Sequence, residues 1–197
     1  MGSSRHGWTI TGIPREYNDA VLAHELGHII LNSRGFAAFY REKPNNPESA
    51  SLVHEIAQEL FNCFPDELID RATAKRGFTP RLLLQTYVHS TEENLNNSKA
   101  GDFESSSDTA RKAYALGLFC TGMRLPTRSM RRHEEKVKAK YGPTLIERER
   151  TLSKQFEGLR CQMDDSAGCF HLTQKLRDAV GMQGVIVFAD PLTHQPE

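Results

Sequence analysis

The sequence predicts a helix-dominated α+β fold with a minor strand component, and three observations support this prediction. Apolar residues recur every three or four positions along most of the chain, as they do on the buried face of an α-helix. Glycine and proline residues separate these stretches into pieces of ordinary helix length. Only two short segments, residues 8–13 and 184–189, have the apolar pattern of β-strands.

The first predicted elements are a short strand at 8–13 and a helix that starts at Asn18 or Asp19 and ends at Arg34. Asparagine and aspartate both cap helix N-termini well, because their side chains accept hydrogen bonds from free backbone N–H groups. Residues 36–47 are predicted to form a loop. The buried stripe of the first helix is expected to consist of Leu22, Leu26, Ile29 and Ile30.

A second strong helix is predicted at 48–64, where Pro65 is expected to stop it, and a shorter helix follows at 66–76. Thr79-Pro80 is expected to begin another helix, as a cap followed by proline in the first turn. The apolar side of the 48–64 helix is predicted to contain Val53, Ile56, Ala57, Leu60, Phe61 and Phe64.

The second half of the chain begins with a polar segment at 90–107, rich in Ser, Asn, Glu and Gly, which we expect to be a flexible surface loop. The last predicted strand is Gly184–Ala189. Between the two, helices are predicted at about 108–122, 127–140, 143–160 and near 171–180.

Composition excludes several classes of function. The 197 residues suffice for one well-buried domain, and the 25 basic residues equal the 25 acidic residues, so no net charge attracts nucleic acid or an anionic membrane. No apolar run approaches the roughly 18 residues of a membrane span. No signal-peptide pattern is visible. Met1–Ser4 resembles an expression-vector leader, which leaves open whether the chain is a fragment of a longer protein.

Cysteine usage indicates reduced thiols in a cytoplasmic protein. The chain has four cysteines, none of them in a C-x-x-C pair, which is not the pattern of a disulfide framework. A bridge between Cys161 and Cys169 is the alternative that the spacing leaves open.

The most informative motif is His24-Glu25-Leu26-Gly27-His28, an H-E-x-x-H string inside the first predicted helix. Histidines four apart lie on one face of a helix, so both imidazoles can reach a single metal ion. Gly27 costs about 1 kcal/mol in a helix interior relative to alanine, which indicates close packing against a neighbour. The alternative is a surface helix with incidental histidines.

A catalytic zinc ion needs three protein ligands and one open position for water, whose pKa it lowers towards about 7. His24 and His28 are the predicted zinc ligands. Glu25 is predicted to act as the general base that takes the proton of this water and passes it to the leaving amine.

The third ligand has to come from another segment. The extended metzincin motif is excluded, because Leu31 occupies the position of the required glycine. Glu55 on the second helix is the predicted third ligand, and Glu59, one turn later, is expected to hold the other ring nitrogen of a histidine. His54 remains an alternative ligand, because it lies closer to the margin of the apolar stripe.

Residues 21–31 and the glutamate-bearing helix that follows resemble the ImmA/IrrE-type metallopeptidases. These enzymes share an A-H-E-x-G-H-x-x-L helix and a second helix, which carries a ligand glutamate near an Ala-Asn pair and is closed by a proline. In this chain Ala57-Gln58 stands at the position of the Ala-Asn pair, and Pro65 at that of the closing proline. The resemblance covers about residues 20–66. It implies a zincin-like core of gluzincin type with Zn²⁺ as cofactor, and limited proteolysis of a protein partner, typically a DNA-binding transcriptional repressor.

The sequence therefore predicts a zinc metalloendopeptidase with residues 1–90 as its catalytic core. Residues 91–107 would form a flexible loop, and 108–197 a helical region packing on the core in one compact domain.

One alternative is a regulatory or interaction module that binds zinc without catalysis. Another is a regulator that contacts nucleic acid through the basic 127–140 helix, although a solvated charged face is the preferred interpretation of that helix. Its basic residues include Arg128, Arg131, Arg132, Lys136, Lys138 and Lys140.

Overall fold

The computed structural model describes residues 2–4, 7–9, 19–34, 39–42, 50–78, 88–89, 91–93, 95–97, 107–125, 127–159 and 166–189. Six longer helices dominate this part of the chain: α1 (Asp19–Ser33), α2 (Ala50–Lys75), α3 (Asp108–Arg124), α4 (Thr127–Tyr141), α5 (Pro143–Gln155) and α6 (Ser166–Ala179). Its strands are β1 (Gly2–Ser4), β2 (Gly7–Thr9), β3 (Phe39–Glu42) and β4 (Ile186–Ala189). The prediction of a helix-dominated fold with a minor strand component is confirmed for the described residues.

Helix α2 lies at the centre of the described structure, where it packs against α1, α3 and α6. Its predicted apolar side is buried at Val53, Ile56, Ala57, Leu60 and Phe64. The same hydrophobic core includes buried residues of α3, α4, α5 and α6. None of the helices in the described ranges is both long and apolar enough to cross a membrane.

The prediction that Pro65 ends the second helix is wrong, because α2 continues without interruption to Lys75. Proline in a helix interior costs about 3 kcal/mol, since it removes one hydrogen bond and crowds the preceding turn. Here Cys63, Phe64 and Ile69 are all buried on either side of the proline. Their packing outweighs the local cost and carries the helix past Pro65.

The prediction of the buried stripe on α1 is also wrong. Leu22, Leu26 and Ile30 are 39%, 44% and 50% exposed, while Ala20, Val21 and His24 are buried. The face turned towards α2 contains Gly27, where an added Cβ would lie 2.6 Å from Ile69 Cγ2. The expectation that Gly27 serves close packing is confirmed, and this contact with α2 decides which face of α1 is buried.

Two small antiparallel sheets complete the described structure. β1 pairs with β2, so the predicted strand at 8–13 is confirmed at its first two residues, and positions 10–13 lie outside the described residues. β3 pairs with β4, with Tyr40 opposite Phe188. The loop prediction for 36–47 is therefore wrong at β3, because the pairing partner of this strand is far away in sequence.

The C-terminal helices agree with their predicted positions within a few residues, except at two ends. The helix predicted at 143–160 ends at Gln155, before a turn that contains Gly158 with φ +77. The last helix begins at Ser166 rather than near 171. Within the polar segment 90–107, residues 91–93 and 95–97 are helical, so a loop is wrong there. The helix predicted from Thr79-Pro80 lies outside the described residues.

The cysteines that the structure describes, Cys63, Cys120 and Cys169, are buried and form no disulfide. Cys169 therefore takes no part in a disulfide with Cys161. A cytoplasmic location stays a prediction from the sequence.

Candidate metal centre

The two histidines of the H-E-x-x-H string lie one turn apart on α1 and face α2. His24 is buried, and the His28 side chain is 13% exposed. Their Nε2 atoms are 3.2 Å apart, and the two rings meet edge to face. Both imidazoles thus present the same ring nitrogen to one small volume between α1 and α2.

Asp66 of α2 brings a carboxylate oxygen into this volume. Its Oδ1 lies 3.1 Å from His28 Nε2 and 3.7 Å from His24 Nε2. This oxygen is buried, and it has no hydrogen-bond partner among the described residues. A buried carboxylate oxygen without a partner is costly, so its position beside two imidazole nitrogens indicates a cation site.

The spacing of the three donor atoms fits a first-row metal ion. For a triangle with these sides, the point equidistant from all three atoms lies about 1.9 Å from each, against roughly 2.0–2.2 Å for zinc bonds to imidazole and carboxylate. Among the described residues, these three form a group whose ligand atoms all lie within 4.8 Å of one another and which could hold a metal ion; we call it the metal-binding group. Two imidazoles and one carboxylate are also a ligand set that zinc uses in catalytic sites.

Asp70, one turn beyond Asp66, fixes the orientation of His24. Its Oδ1 lies 2.8 Å from His24 Nδ1, and an ionised carboxylate can only accept, so Nδ1 carries the proton. With the proton on Nδ1, Nε2 is the ring nitrogen whose lone pair can bind a metal ion, and it is the nitrogen that faces His28 and Asp66. This pairing of a carboxylate with the outer nitrogen of a metal-binding histidine is common in zinc sites.

Arg124, at the end of α3, holds the outer oxygens of both aspartates. Its Nη1 donates to Asp66 Oδ2 at 2.9 Å, and its Nε donates to Asp70 Oδ2 at 3.3 Å. Each carboxylate therefore has one oxygen towards the histidines and the other towards the guanidinium group. Arg124 fixes the two aspartates relative to each other, and it also places a positive charge beside them.

The electrostatics of Asp70 follow from these contacts. Burial by itself raises the pKa of its carboxyl group, but the hydrogen bond from His24 and the charge of Arg124 outweigh burial. The pKa of Asp70 is consequently lower than its usual value. Asp70 is therefore ionised at neutral pH and available as the acceptor for His24 Nδ1–H.

The structure does not bring Glu55 or His54 to the histidines. Both residues are exposed, and they precede Asp66 by 11 and 12 positions on the same helix, which is about 16–18 Å of helix axis. Asp66 occupies the place for which Glu55 was predicted. Asp66 follows Pro65 directly, and Asp70 lies five positions beyond it. Because the predicted second helix ends at this proline, neither aspartate was expected on the same helix as Glu55.

Glu59 is not the carboxylate on the outer nitrogen of His24, because Asp70 occupies that position. Glu59 lies two turns before Asp66 and is largely exposed, yet partial loss of solvent around its carboxyl group raises its pKa. The charge of Asp66 raises the pKa further, and Arg124 lowers it. Glu25 is partly exposed on α1 and does not belong to the metal-binding group.

The basic helix predicted at 127–140 is α4, and several of its cations contact other parts of the chain. Lys136 pairs with Glu92 at 2.7 Å, and Lys140 donates to the Leu95 carbonyl oxygen. Glu134 of the same helix pairs with Arg150 of α5. The interpretation of α4 as a solvated charged face and its nucleic-acid alternative both stay predictions from the sequence.

Comparisons of the chain with protein family models, with curated proteins and with solved structures found no match in any of the three. The likeness to ImmA/IrrE-type metallopeptidases therefore stays a prediction from the motif. Function has to be inferred from the geometry of the site itself.

Proposed function

We propose that the protein is a metal-dependent endopeptidase that holds zinc through His24, His28 and Asp66. The observation that supports this proposal most is the convergence of three donor atoms on one point, with Asp66 Oδ1 buried and unpartnered. Zinc bound by three protein ligands keeps a position open and acts as a Lewis acid, lowering the pKa of water and polarising a carbonyl group.

Glu25 is the proposed general base. It follows His24 directly, so its side chain lies about 100° further round α1, in the same helical turn as the two histidines. In peptide hydrolysis its carboxylate accepts a proton from the attacking water and returns it to the nitrogen of the leaving amine. Its partial exposure allows it to reach solvent and substrate.

Asp70 and Arg124 orient the ligands in this proposal. Asp70 keeps the His24 proton on Nδ1, so that Nε2 remains a lone-pair donor. Arg124 keeps the outer oxygen of Asp66 occupied, so that a single oxygen faces the histidines. From the motif resemblance we further propose a protein substrate, with a DNA-binding repressor as the expected class, and a zincin-like arrangement of α1 and α2.

Metal analysis of the purified chain tests the ligand set. We expect about one zinc per chain in the unaltered protein, lost in His24→Ala, His28→Ala and Asp66→Ala, and retained in Glu55→Ala and His54→Ala. The last two variants are matched controls on the helix that carries Asp66. Zinc retained in Asp66→Ala and lost in Glu55→Ala would restore the original assignment of Glu55.

Glu25→Gln tests catalysis separately from binding. This variant should keep zinc and its thermal stability while losing cleavage of the cognate protein substrate. Full biological activity in Glu25→Gln would contradict the enzyme and favour a zinc-binding regulatory module.

A further inference from the structure

A groove with a volume of ≈ 710 Å³ lies between α2, α3 and α4, outside the metal-binding group. On α2 it is lined by Glu55, Glu59 and Asn62, which follow one another at helical spacings of four and three residues. Asp66 continues this row one turn after Asn62. The groove therefore runs along α2 towards the metal-binding aspartate.

Along α3 the groove also leads towards Asp66. Thr121 lines the groove and precedes Arg124 by one turn, and Arg124 holds Asp66. The two helices run side by side in parallel, since the earlier residues of each line the groove and the later residues meet at the ion pair. A molecule lying in the groove would have one end within about one to two helical turns of the metal-binding group.

The base of the groove is apolar, and its middle is open. Ile56, Leu95, Leu118 and Val137 are buried residues that line it. Gly117 also lines it, and a Cβ added there would meet nothing within 4 Å. Groove volumes between about 300 and 1,000 Å³ are typical of ligand sites with an apolar lining and a few polar groups.

The acidic and basic residues that line the groove are not balanced, because the acidic ones predominate. Glu55 and Glu59 line the groove on α2, and no lysine or arginine is found among the described residues that line it. Partial desolvation and repulsion from the charge of Asp66 raise the pKa of Glu59, and the charge of Arg124 lowers it. A cation placed beside Glu59 would relieve this repulsion.

His133 of α4 supplies an independent indication of a ligand. The residue is only 8% exposed, and its Nδ1 is buried without a hydrogen-bond partner in the described structure. Burial lowers the pKa of His133, the charge of Glu92 raises it, and the charge of Lys136 lowers it, so that the pKa is below its usual value. The ring is therefore neutral at pH 7. His133 also lines the groove, so its ring is a polar group of the groove wall whose hydrogen bonds within the protein are incomplete.

We infer that this groove binds a peptide segment of the substrate in which an apolar stretch carries a lysine or arginine, with the basic group at Glu59 and a backbone group beside the His133 ring. This inference rests on the proposed function and names the substrate class of the same site. A peptide is favoured over a free amine because the groove leads to the residues proposed to cut a peptide bond.

Binding can be measured without cleavage in the full-length Glu25→Gln protein loaded with zinc. The probes are dye-labelled eight-residue peptides of alanine and leucine that differ only at one central position, which is lysine, norleucine or glutamate. We expect the lysine peptide to bind about tenfold more tightly than the norleucine peptide, and the glutamate peptide to bind least. Equal affinities for the lysine and norleucine peptides would overturn the inference.

Three substitutions, each made in the Glu25→Gln background, locate the binding. Glu59→Gln should remove most of the preference for lysine, whereas Glu147→Gln, the same change at an exposed position of α5, should leave it unchanged. Gly117→Leu should fill the groove and weaken all the peptides about tenfold or more while the protein melts normally. Unaltered peptide binding in a folded Gly117→Leu protein would place the peptide elsewhere and sink the inference.

The proposal for the groove and the proposal for the metal site can be rejected independently of each other. Peptide binding should persist after the metal has been removed with a chelator, because no groove residue belongs to the metal-binding group. Selective lysine-peptide binding in a protein without zinc would retain the groove and reject the peptidase. Zinc and cleavage without lysine selectivity would retain the peptidase and reject the groove.

Discussion

Arg124 and Asp66 are 58 positions apart in sequence, yet Arg124 Nη1 lies 2.9 Å from Asp66 Oδ2. Through this contact the end of α3 is joined to the middle of α2, beside the histidines of α1. The same guanidinium group reaches Asp70. Three helices from separate parts of the chain therefore meet in one network, and the metal-binding geometry depends on their packing.

Arg124→Ala should lower the free energy of unfolding of the metal-free protein by about 2 to 3 kcal/mol, because it leaves two largely buried carboxylates without a counter-charge. The loss should be smaller with zinc bound, since the ion supplies positive charge to Asp66. Urea unfolding with and without zinc measures both values. Arg150→Ala, which breaks an exposed pair with Glu134, is the control and should cost less than about 1 kcal/mol.

Asp70→Asn should weaken zinc binding about 10- to 100-fold with little change in fold. Asp70 accepts from His24 Nδ1 and Arg124 Nε through different oxygens, and asparagine replaces one of these oxygens with an NH2 group that donates and would oppose one of the two donors. Competition with a chromophoric chelator measures the affinity. Asp178→Asn, at an exposed aspartate that pairs with the buried Arg177 away from the histidines, is the matched substitution. Equal affinity in both variants would show that Asp70 does not orient His24.

Gly27→Ala should destabilise the protein although alanine favours helices by about 1 kcal/mol. The new Cβ would lie 2.6 Å from Ile69 Cγ2 and 3.0 Å from Ile69 Cγ1, which forces α1 away from α2. We expect a net loss of about 1 kcal/mol or more in unfolding free energy and weaker zinc binding, because His24 and His28 move with α1.

Gly117→Ala is the control for this prediction, since its Cβ would meet nothing within 4 Å and should stabilise α3 slightly. Ile69→Ala should partly rescue Gly27→Ala by removing the atoms with which the new methyl group collides. If the two losses in unfolding free energy were simply additive, the proposed steric contact would not be the cause.

Glu149→Gln should change the pH dependence of stability. Burial raises the pKa of Glu149 above its model-compound value of 4.5, a hydrogen bond from Ser153 lowers it, and Glu134 raises it. Because the folded state binds this proton more tightly, its contribution to stability is fully present below pH 4.5 and is lost as the pH rises through the folded pKa.

Relative to Glu149→Gln, the wild-type protein should therefore lose stability between pH 4.5 and the raised pKa, and the difference should level off above it. Urea unfolding of both proteins from pH 4 to 8 measures this difference. Glu147→Gln on the same helix controls for the loss of one exposed charge. A difference that grows in favour of the wild type with rising pH would contradict the predicted sign.

Several features could be predicted because they depend on local patterns. The helical stretch that contains His24 and His28 is set by residue spacing within one helix, as are most of the later helices. The close approach at Gly27 was predictable from the cost of glycine in a helix. The pairing of β3 with β4 could not be predicted in this way, because the two strands are far apart in sequence and the local pattern of one says nothing about the other.

What the sequence determined by itself is the pair of imidazoles one helical turn apart with a carboxylate between them, because a single helix fixes their spacing. What only the tertiary structure decided is which face of α1 is buried and which carboxylate meets the histidines. Packing around Pro65 keeps α2 helical, and the contact of Gly27 with Ile69 sets the register of α1 on α2. That register places Asp66, and not Glu55, beside His24 and His28, since the two acidic residues are three helical turns apart.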